Sequence, residues 1–303
     1  MALDAREEGG LSVGSTYDGP MPAPLIDLHT HSSVSDGTET PTQLVRAAVE
    51  AGLDTIAITD HDSTAGWDEA LAAAADTGLQ VIRGMELSTR DEWRSVHVLG
   101  YLFDPNDGDL VAETARIRDD RLTRAERMVG RLSEDFDVTW EDVLAQSGGV
   151  SIGRPHIADA LVARGIVRTR SEAFASILHF QGGYYLPHAA PTVLDGVRLI
   201  ANAGGAPVIA HPATRGADAV INERMLVQLI EVGLVGLEVG HRENSVPGRA
   251  TLEAWAQKYE LVVTGSSDYH GEGKPNRLAE NTTSPEALER IVARTRGVQP
   301  VRA

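Results

Sequence analysis

Short apolar segments alternate with helical patterns along most of this chain, and this alternation limits the folds that it can adopt. The segment PLIDLHTH precedes the helical pattern PTQLVRAAVEAG, and TIAITDHD precedes AGWDEALAAAADTG. Such an order is typical of parallel strands joined by helices. The near-continuous apolar run at residues 55–59 indicates a sheet that is covered on both faces. Seven strand-like runs in all predict an α/β fold, either a barrel related to the eight-stranded type or an open sheet.

The alternation is interrupted in the middle of the chain. A long polar helix is predicted over about 109–135, and further helical patterns follow it before the strands resume. We interpret residues 105–189 as a helical insertion that contributes to the substrate pocket, within a barrel formed by 23–104 and 190–303. The first 22 residues, 1–22, are rich in acids and glycines and are predicted to form a flexible tail.

Composition and charge exclude several classes of protein. The chain has 303 residues and no cysteine, so disulfides, thiolate-bound zinc and a cysteine nucleophile are excluded. Its formal net charge of -17 opposes general binding to duplex nucleic acid and to anionic membranes. No signal-peptide pattern and no apolar run long enough to span a bilayer is found. We therefore expect a cytoplasmic protein whose partner is a small anionic substrate held by local cations.

Six of the ten histidines lie at or near the ends of the strand-like runs, together with several acids. In parallel α/β folds the functional groups gather at the C-terminal ends of the strands. His29 and His31 are two residues apart in an extended segment, as are Asp268 and His270, so each pair can chelate an ion. The candidates at strand ends are Asp27, His29, His31, Asp60, His61, Glu86, His97, His211, Asp268 and His270, and Asp36 closely follows the first pair.

These residue types indicate which metals they could bind. Imidazole and carboxylate together suit zinc, manganese or iron. About nine ligands, at roughly four to six donors per ion, predict two or three ions, with Glu86 as a shared bridge. The alternative is a structural metal site, but such sites usually close with four protein ligands. We therefore favour a catalytic centre with several divalent ions.

The segments around these residues resemble the motifs of the polymerase and histidinol phosphatase (PHP) family of metal-dependent phosphoesterases. The matching segments occur in family order between about residues 24 and 270: IDLHTHSSVSDG, AITDHD, GMELS, HVLGY, AHP and SSDYH. The resemblance implies a distorted seven-stranded β/α barrel of the PHP type, with two or three divalent ions (Mn, Fe or Zn) at its C-terminal rim. It also implies a metal-dependent phosphoric ester hydrolase.

The resemblance further implies a role for each ligand. One ion would be held by His29, His31, Glu86 and Asp268, a second by Glu86, His97 and His211, and a third by Asp36, His61 and His270. Asp36 stands where some relatives have a histidine. Glu86 and Asp268 are counted among the catalytic residues as well as the ligands. Asp27 and Asp60 are expected to orient imidazoles rather than to bind metal.

The segment SIGRPHIADALVARG resembles the branch of the family that hydrolyses nucleoside 3',5'-bisphosphates and trims the 5' ends of short RNAs. Arg154 and His156 carry this resemblance, and beside a helix N-terminus they would clamp the substrate phosphate. The alternative is that Gly153-Arg-Pro merely starts a helix. That branch usually has a lysine where this chain reads HFQGGYYLP, so the preference for a bisphosphate stays open.

Other functions remain as alternatives. The substrate could be histidinol phosphate or another small phosphomonoester rather than a nucleotide. A non-catalytic metal-bearing module that binds a partner is a second alternative, although no ligand is missing. An amidohydrolase-like deaminase is a third, because that group shares the HxH start, but GMELS and HVLGY fit a phosphoesterase better.

Six arginines recur along the predicted long helix: Arg116, Arg118, Arg121, Arg124, Arg127 and Arg131. We interpret this row as a solvated helix face paired with Glu113, Asp120 and Glu126. The alternative is a locally positive groove for nucleic acid.

Overall fold

The computed structural model describes residues 23–92, 94–147, 152–187, 189–214 and 221–302. The predicted flexible tail, 1–22, lies outside the described residues. None of the described helices is both long and apolar enough to cross a membrane.

Seven strands form one sheet in chain order, and an eighth pairs with its third strand. The strands are β1 (Ile26–Asp27), β2 (Thr55–Ile58), β3 (Gln80–Asp91), β4 (Arg94–Tyr101), β5 (Ala206–Ile209), β6 (Gly236–Gly240), β7 (Val262–Gly265) and β8 (Val301–Arg302). A parallel bridge between Thr30 and Tyr269 joins the segments that follow β1 and β7. The sheet is therefore a nearly closed barrel, and the predicted seven-stranded α/β barrel is confirmed.

One strand runs against the direction that the sequence indicated. β1, β2 and β3 are parallel, and so are β5, β6 and β7, but β4 is antiparallel to both of its neighbours. β3 ends at Asp91 and β4 begins at Arg94. Two residues can connect antiparallel strands as a hairpin, whereas parallel strands need a crossover of a dozen residues or more. The expectation of parallel strands throughout was therefore wrong at β4.

Ten helices connect or extend these strands among the described residues. They are α1 (Pro41–Glu50), α2 (Trp67–Ala74), α3 (Gly108–Leu132), α4 (Trp140–Leu144), α5 (Arg154–Ala163), α6 (Arg170–Ala175), α7 (Val193–Asn202), α8 (Glu223–Glu231), α9 (Val246–Lys258) and α10 (Pro285–Val292). α1 begins where the sequence predicted: Thr40 and Gln43 cap each other's backbone amides, and Pro41 occupies the first turn. Gly52 follows α1 with a φ of 76°, a conformation that glycine adopts without strain.

Two apolar clusters hold the barrel together. One packs Leu44 of α1, Val197 of α7 and Leu229 of α8 against the strands. The other contains Leu99 of β4 and Val208 of β5. Leu99 pairs directly opposite Glu86 in the sheet, so the second cluster lies on the sheet face that carries this carboxylate. The apolar barrel interior thus supports the polar residues at its rim.

The helices between β4 and α7 have an apolar cluster of their own. Met128 of α3, Val143 of α4, Leu161 of α5 and Ala173 of α6 are fully buried in it. The predicted polar helix at about 109–135 is α3. We propose that 105–189 is an insertion within a barrel formed by 23–104 and 190–303.

Candidate metal centre

Strand pairing places Glu86 among side chains from distant parts of the sequence. In the β3–β4 pair Ser88 lies opposite His97, and a parallel bridge joins Glu86 to His61 after β2. β5, next to β4, leads directly to His211. Because these segments all pass close to Glu86, its carboxylate can contact histidines from several strands.

The first group of donor atoms comes from His29, His31, Glu86 and Asp268, all of them buried. The Nε2 atoms of the two histidines are 3.0 Å apart, and each is 3.1–3.2 Å from Glu86 Oε2. Asp268 Oδ1 lies 3.4 Å from both nitrogens. Donors that share one ion lie about 3 to 3.5 Å apart when the bonds to it measure about 2.0–2.2 Å. The group therefore has the spacing of a coordination shell.

Glu86 also contacts a second set of imidazoles through its other oxygen. Oε1 is 2.7 Å from His97 Nδ1 and 3.1 Å from His211 Nε2. Oε2, which faces the first group, is 3.3 Å from His61 Nδ1. A carboxylate whose two oxygens face different donor sets has the geometry of a bridge between two ions.

A third group brings together His31, Asp36, His61 and His270. Asp36 Oδ1 lies 3.1 Å from His270 Nε2, and Asp36 Oδ2 lies 3.8 Å from His61 Nε2. His31 Nδ1 is 3.7 Å from the same Asp36 side chain. All nine ligands suggested by the sequence therefore lie in or against these three groups.

Several of these atoms are buried without a hydrogen bond among the described residues. They include Asp36 Oδ1, His61 Nδ1, His97 Nδ1 and His270 Nε2. His97 Nδ1 is only 2.7 Å from a carboxylate oxygen, so its lack of a hydrogen bond reflects orientation rather than distance. Buried polar atoms without partners are costly, whereas ligands of one ion approach each other without being aligned as donor and acceptor. The donor set therefore fits divalent metal ions.

The histidines of the centre differ in the direction in which their surroundings shift the pKa. Burial would lower the pKa of His31, but Asp268 and Glu86 raise it to about 9. Burial lowers the pKa of His61 well below its usual value and also lowers that of His211 and His270. Neutral imidazole is the form that binds metal, so the latter three rings are ready to coordinate.

Two of the predicted ligands have backbone conformations that non-glycine residues rarely adopt. His211 has a φ of 32° and Asp268 a φ of 55°. Left-handed conformations of non-glycine residues cost of order 1–3 kcal/mol and persist where the surroundings determine them. At both positions this geometry turns a side chain at a strand end toward the donor groups.

Arg154 and His156 occupy the first turn of α5 but line different cavities. His156 is buried, its Nδ1 accepts a hydrogen bond from the Gly153 amide at 3.1 Å, and it lines a cavity of about 750 Å³ on the Asp36 side. Arg154 stacks against Phe174 and Tyr185, with its guanidinium carbon 5.4 and 5.2 Å from the ring centres. It lines a second cavity, of about 720 Å³, beside the β3–β4 hairpin. The start of α5 therefore separates two cavities.

Comparison with known proteins decides the family. The family model described as PHP domain matches residues 27–142. The 3',5'-nucleoside bisphosphate phosphatase of Chromobacterium violaceum is 33% identical over 264 residues, which cover 85% of this chain and 91% of the relative. This chain belongs to the PHP family.

Two further comparisons agree with this assignment of the PHP protein. The 5'-3' exoribonuclease of Haemophilus influenzae is 31% identical over 80% of this chain and 89% of its own length. A solved structure from Bifidobacterium adolescentis, assigned as a metal-dependent phosphoesterase, has a TM-score of 0.87 and 44% identity, covering 92% of this chain and 98% of that chain. The PHP protein is a metal-dependent phosphoesterase, and the prediction of a hydrolase is confirmed.

Glu238, a fully buried residue on β6 of the PHP protein, was not predicted from the sequence. Its Oε1 lies 3.0 Å from His29 Nδ1, and its Oε2 accepts a hydrogen bond from the His211 amide at 2.8 Å. Burial would raise the pKa of Glu238, but His29 and other histidines lower it to about 2. The available signal was a lone acid within the apolar segment LVGLEVG. Glu238 thus fixes the orientation of one predicted ligand and the backbone of another.

Sequence reasoning also assigned no role to His241, which follows β6. It is fully buried, and its Nε2 lies 3.5 Å from Asp268 Oδ2. Lys274 contacts the same carboxylate oxygen at 2.7 Å. Asp268 therefore has cationic or polar neighbours on the side away from the first donor group.

The role expected for Asp27 was wrong, and that expected for Asp60 holds only through a serine. Asp27 accepts hydrogen bonds from backbone amides, including those of Ser267 at 3.0 Å and Ala279 at 3.1 Å. Asp60 accepts from the amide and hydroxyl of Ser32 and from the hydroxyl of Ser35, which lies 3.4 Å from His31 Nδ1. Both carboxylates are buried, and their hydrogen bonds to amides hold the backbone that carries the predicted ligands.

The row of arginines on α3 is only partly a solvated face. Arg116 is exposed and pairs with Glu113, as expected. Arg121, however, contacts buried Asp62 at 3.0 Å and the Ser88 hydroxyl, and its side chain is 14% exposed. Arg124 is buried and donates to the Leu186 carbonyl. The expectation was therefore wrong for these two residues, because Arg121 points toward the barrel and Arg124 is buried within the helical block, against Leu186 and Tyr185.

Proposed function

We propose that this PHP protein hydrolyses a phosphomonoester of a small nucleotide, foremost a nucleoside 3',5'-bisphosphate, which yields the 5'-monophosphate. Short RNA with a 5'-phosphate is the second substrate of the proposal. The observation that carries it is the set of three donor groups arranged around Glu86. The named activities of the relatives from C. violaceum and H. influenzae support the nucleotide. The net charge of -17 favours short substrates over duplex nucleic acid.

We propose two or three divalent ions (Mn, Fe or Zn) in this centre. His29, His31, Glu86 and Asp268 would hold one, Glu86, His97 and His211 the second, and Asp36, His61 and His270 the third. Such ions, when bound, lower the pKa of water and neutralise charge on phosphoryl oxygens. Glu86 would bridge two of them, and Asp268 would close the first group.

Arg154 and His156 would bind substrate phosphate from the start of α5, each in its own cavity. His156 Nδ1 accepts a hydrogen bond from the Gly153 amide, so in the neutral ring the proton lies on Nε2, which can donate to a phosphoryl oxygen. Burial lowers the pKa of His156, which favours this neutral form. A guanidinium such as that of Arg154 pairs with phosphate through two parallel hydrogen bonds.

The proposal is tested by phosphate release from four substrates with manganese supplied: adenosine 3',5'-bisphosphate, AMP, histidinol phosphate and a short 5'-phosphorylated RNA. We expect the bisphosphate to give the highest kcat/KM, with AMP as the product. Glu86→Gln should lower that value by at least about 100-fold, because the bridge loses its charge. Glu253→Gln, on the exposed face of α9, is the matched control. Faster release from histidinol phosphate, or none from any substrate, would contradict the proposal.

A further inference from the structure

We propose that the cavity beside the β3–β4 hairpin binds the second phosphate of the substrate through Arg90 and Arg94. This inference rests on the proposed function, because it assigns the phosphate that is not hydrolysed. We call this cavity the hairpin pocket; its walls include Arg90, Arg94, Ser95, Arg154, Phe180 and Tyr185. Its volume of about 720 Å³ is within the range of small-molecule sites, about 300–1,000 Å³.

The hairpin pocket lies next to the donor groups. Ser95 lies in its wall, and the Ser95 hydroxyl is 3.2 Å from Nε2 of His97, whose Nδ1 is 2.7 Å from Glu86. Arg90 pairs opposite Ser95 in the β3–β4 register. Because alternate residues of a strand share a face, Arg90 extends the row that begins at Glu86, about 13 Å along β3. A substrate at the donor groups could thus extend along this row.

The charge of the hairpin pocket favours an anion. Among its described wall residues are three guanidinium groups, those of Arg90, Arg94 and Arg154, and one carboxylate, that of Glu92. This excess of positive charge occurs in a chain whose net charge is -17. Guanidinium groups bind phosphate oxygens in paired hydrogen bonds. A phosphate dianion would therefore be attracted to this pocket against the field of the whole protein.

The cavity on the Asp36 side has a smaller excess of positive charge. Its described wall residues include the cations Arg168, Arg170 and Lys274 and the carboxylates Asp159 and Glu272. The hairpin pocket has the same number of cations and one carboxylate fewer among its described wall residues. We therefore assign the second phosphate to the hairpin pocket rather than to this cavity.

The apolar part of the hairpin pocket suits the rest of a nucleotide. Phe180 is 55% exposed, one of the larger exposed apolar side chains among the described residues. Tyr185 lies beside it in the wall, with Arg154 stacked on its ring. Aromatic side chains near arginines are the usual platform for nucleobases. A ligand with two phosphates and a base matches the pocket better than a simple phosphomonoester does.

The test compares the wild-type protein with the double variant Arg90→Ala/Arg94→Ala on adenosine 3',5'-bisphosphate and adenosine 3'-monophosphate. We expect the ratio of kcat/KM for the bisphosphate to that for the monophosphate to fall about 10- to 100-fold, the loss typical of hydrogen bonds to a charged group. Arg90→Lys/Arg94→Lys should restore part of the ratio. Arg116→Ala, on the exposed face of α3, is the matched control and should leave the ratio unchanged.

A ratio that stays within about twofold of the wild-type value in the alanine variant would overturn the inference. Calorimetric titration with AMP, which retains the 5'-phosphate, provides a reading that does not need turnover. We expect the alanine variant to bind AMP about tenfold more weakly, and equal affinity would again overturn the inference. If the wild-type protein hydrolyses neither nucleotide, the proposed function fails, and the AMP titration still decides whether the hairpin pocket binds phosphate.

Discussion

Glu86 and Glu238 have different contacts in the centre and therefore different roles. Glu86 contacts imidazoles through both oxygens, whereas Glu238 contacts one ring and one backbone amide. The first therefore has the geometry of a shared ligand, and the second that of a residue that orients a ligand. Removing a partner that orients a metal-binding histidine typically weakens metal binding by 10- to 100-fold.

We predict that Glu238→Gln lowers manganese affinity by about 10- to 100-fold. The amide keeps a hydrogen-bond acceptor for His29 but removes the charge that raises the pKa of that ring. Competition with a chelator of known affinity measures the change. Glu231→Gln, at the exposed end of α8, should bind metal as the wild-type protein does. Equal affinity of both variants would show that Glu238 does not support His29.

A second prediction follows from His31, whose pKa is raised to about 9 by Asp268 and Glu86. In the metal-free protein the ring holds its extra proton below pH 9, and metal binds only the neutral form. Manganese binding at pH 7.5 should therefore release protons from His31 and from His29, whose pKa is also raised. The share from His31, about one proton, should decline above pH 9. Calorimetry in buffers of different ionisation enthalpy measures this release. A binding enthalpy that does not depend on the buffer would contradict it.

At the scale of elements, α3 joins the helical block to the barrel through charged contacts. Arg121 pairs with Asp62, and Arg118 donates to the carbonyl of the same residue at 2.5 Å. The start of α3 was predictable from sequence, because Asp107 caps it and the pattern is helical. The face of α3 that points toward the barrel was not predictable. Asp62 lies 59 residues from Arg121 in the sequence, and arginines recur along the helix at intervals of two to four residues, so nothing marks Arg121 among them. The direction of β4 escaped prediction for a related reason: apolar periodicity does not encode strand direction.

We predict that Arg121→Ala destabilises the protein by about 3 kcal/mol, because the buried Asp62 carboxylate loses its cationic partner and keeps only the hydrogen bonds from Ser88. Both side chains are largely shielded from solvent. Urea denaturation followed by circular dichroism measures the change. Arg127→Ala, on the exposed face of the same helix, should change the free energy of unfolding by less than about 0.5 kcal/mol. If both substitutions change the free energy of unfolding equally, the Arg121–Asp62 pair does not stabilise the fold.

At the scale of the whole molecule, the barrel buries several carboxylates at one rim. Glu86, Glu238 and Asp268 are all 3% exposed or less, and the chain carries a net charge of -17. Buried charges need compensation, which divalent ions would supply together with the histidines. The sequence predicted this concentration of ligands, because strand ends in an α/β barrel meet at one rim. It could not predict the cavities, which depend on how the helical block packs over that rim.

We predict that manganese raises the thermal unfolding temperature and that a chelator reverses the rise. Each site occupied at 100 times its Kd adds about 2.7 kcal/mol to the free energy of unfolding. Scanning calorimetry over a series of manganese concentrations measures the effect. Glu86→Gln should show a smaller rise, because it weakens the bridge between two donor groups. An unfolding temperature that does not respond to manganese would contradict the presence of a buried metal centre.

Anomalous X-ray scattering from crystals grown with manganese shows whether two ions share Glu86. We predict two or three anomalous peaks at the barrel rim, with the Glu86 carboxylate between two of them and His29, His31 and Asp268 around one. A single peak, or peaks that do not contact Glu86, would mean that this carboxylate is not a bridge.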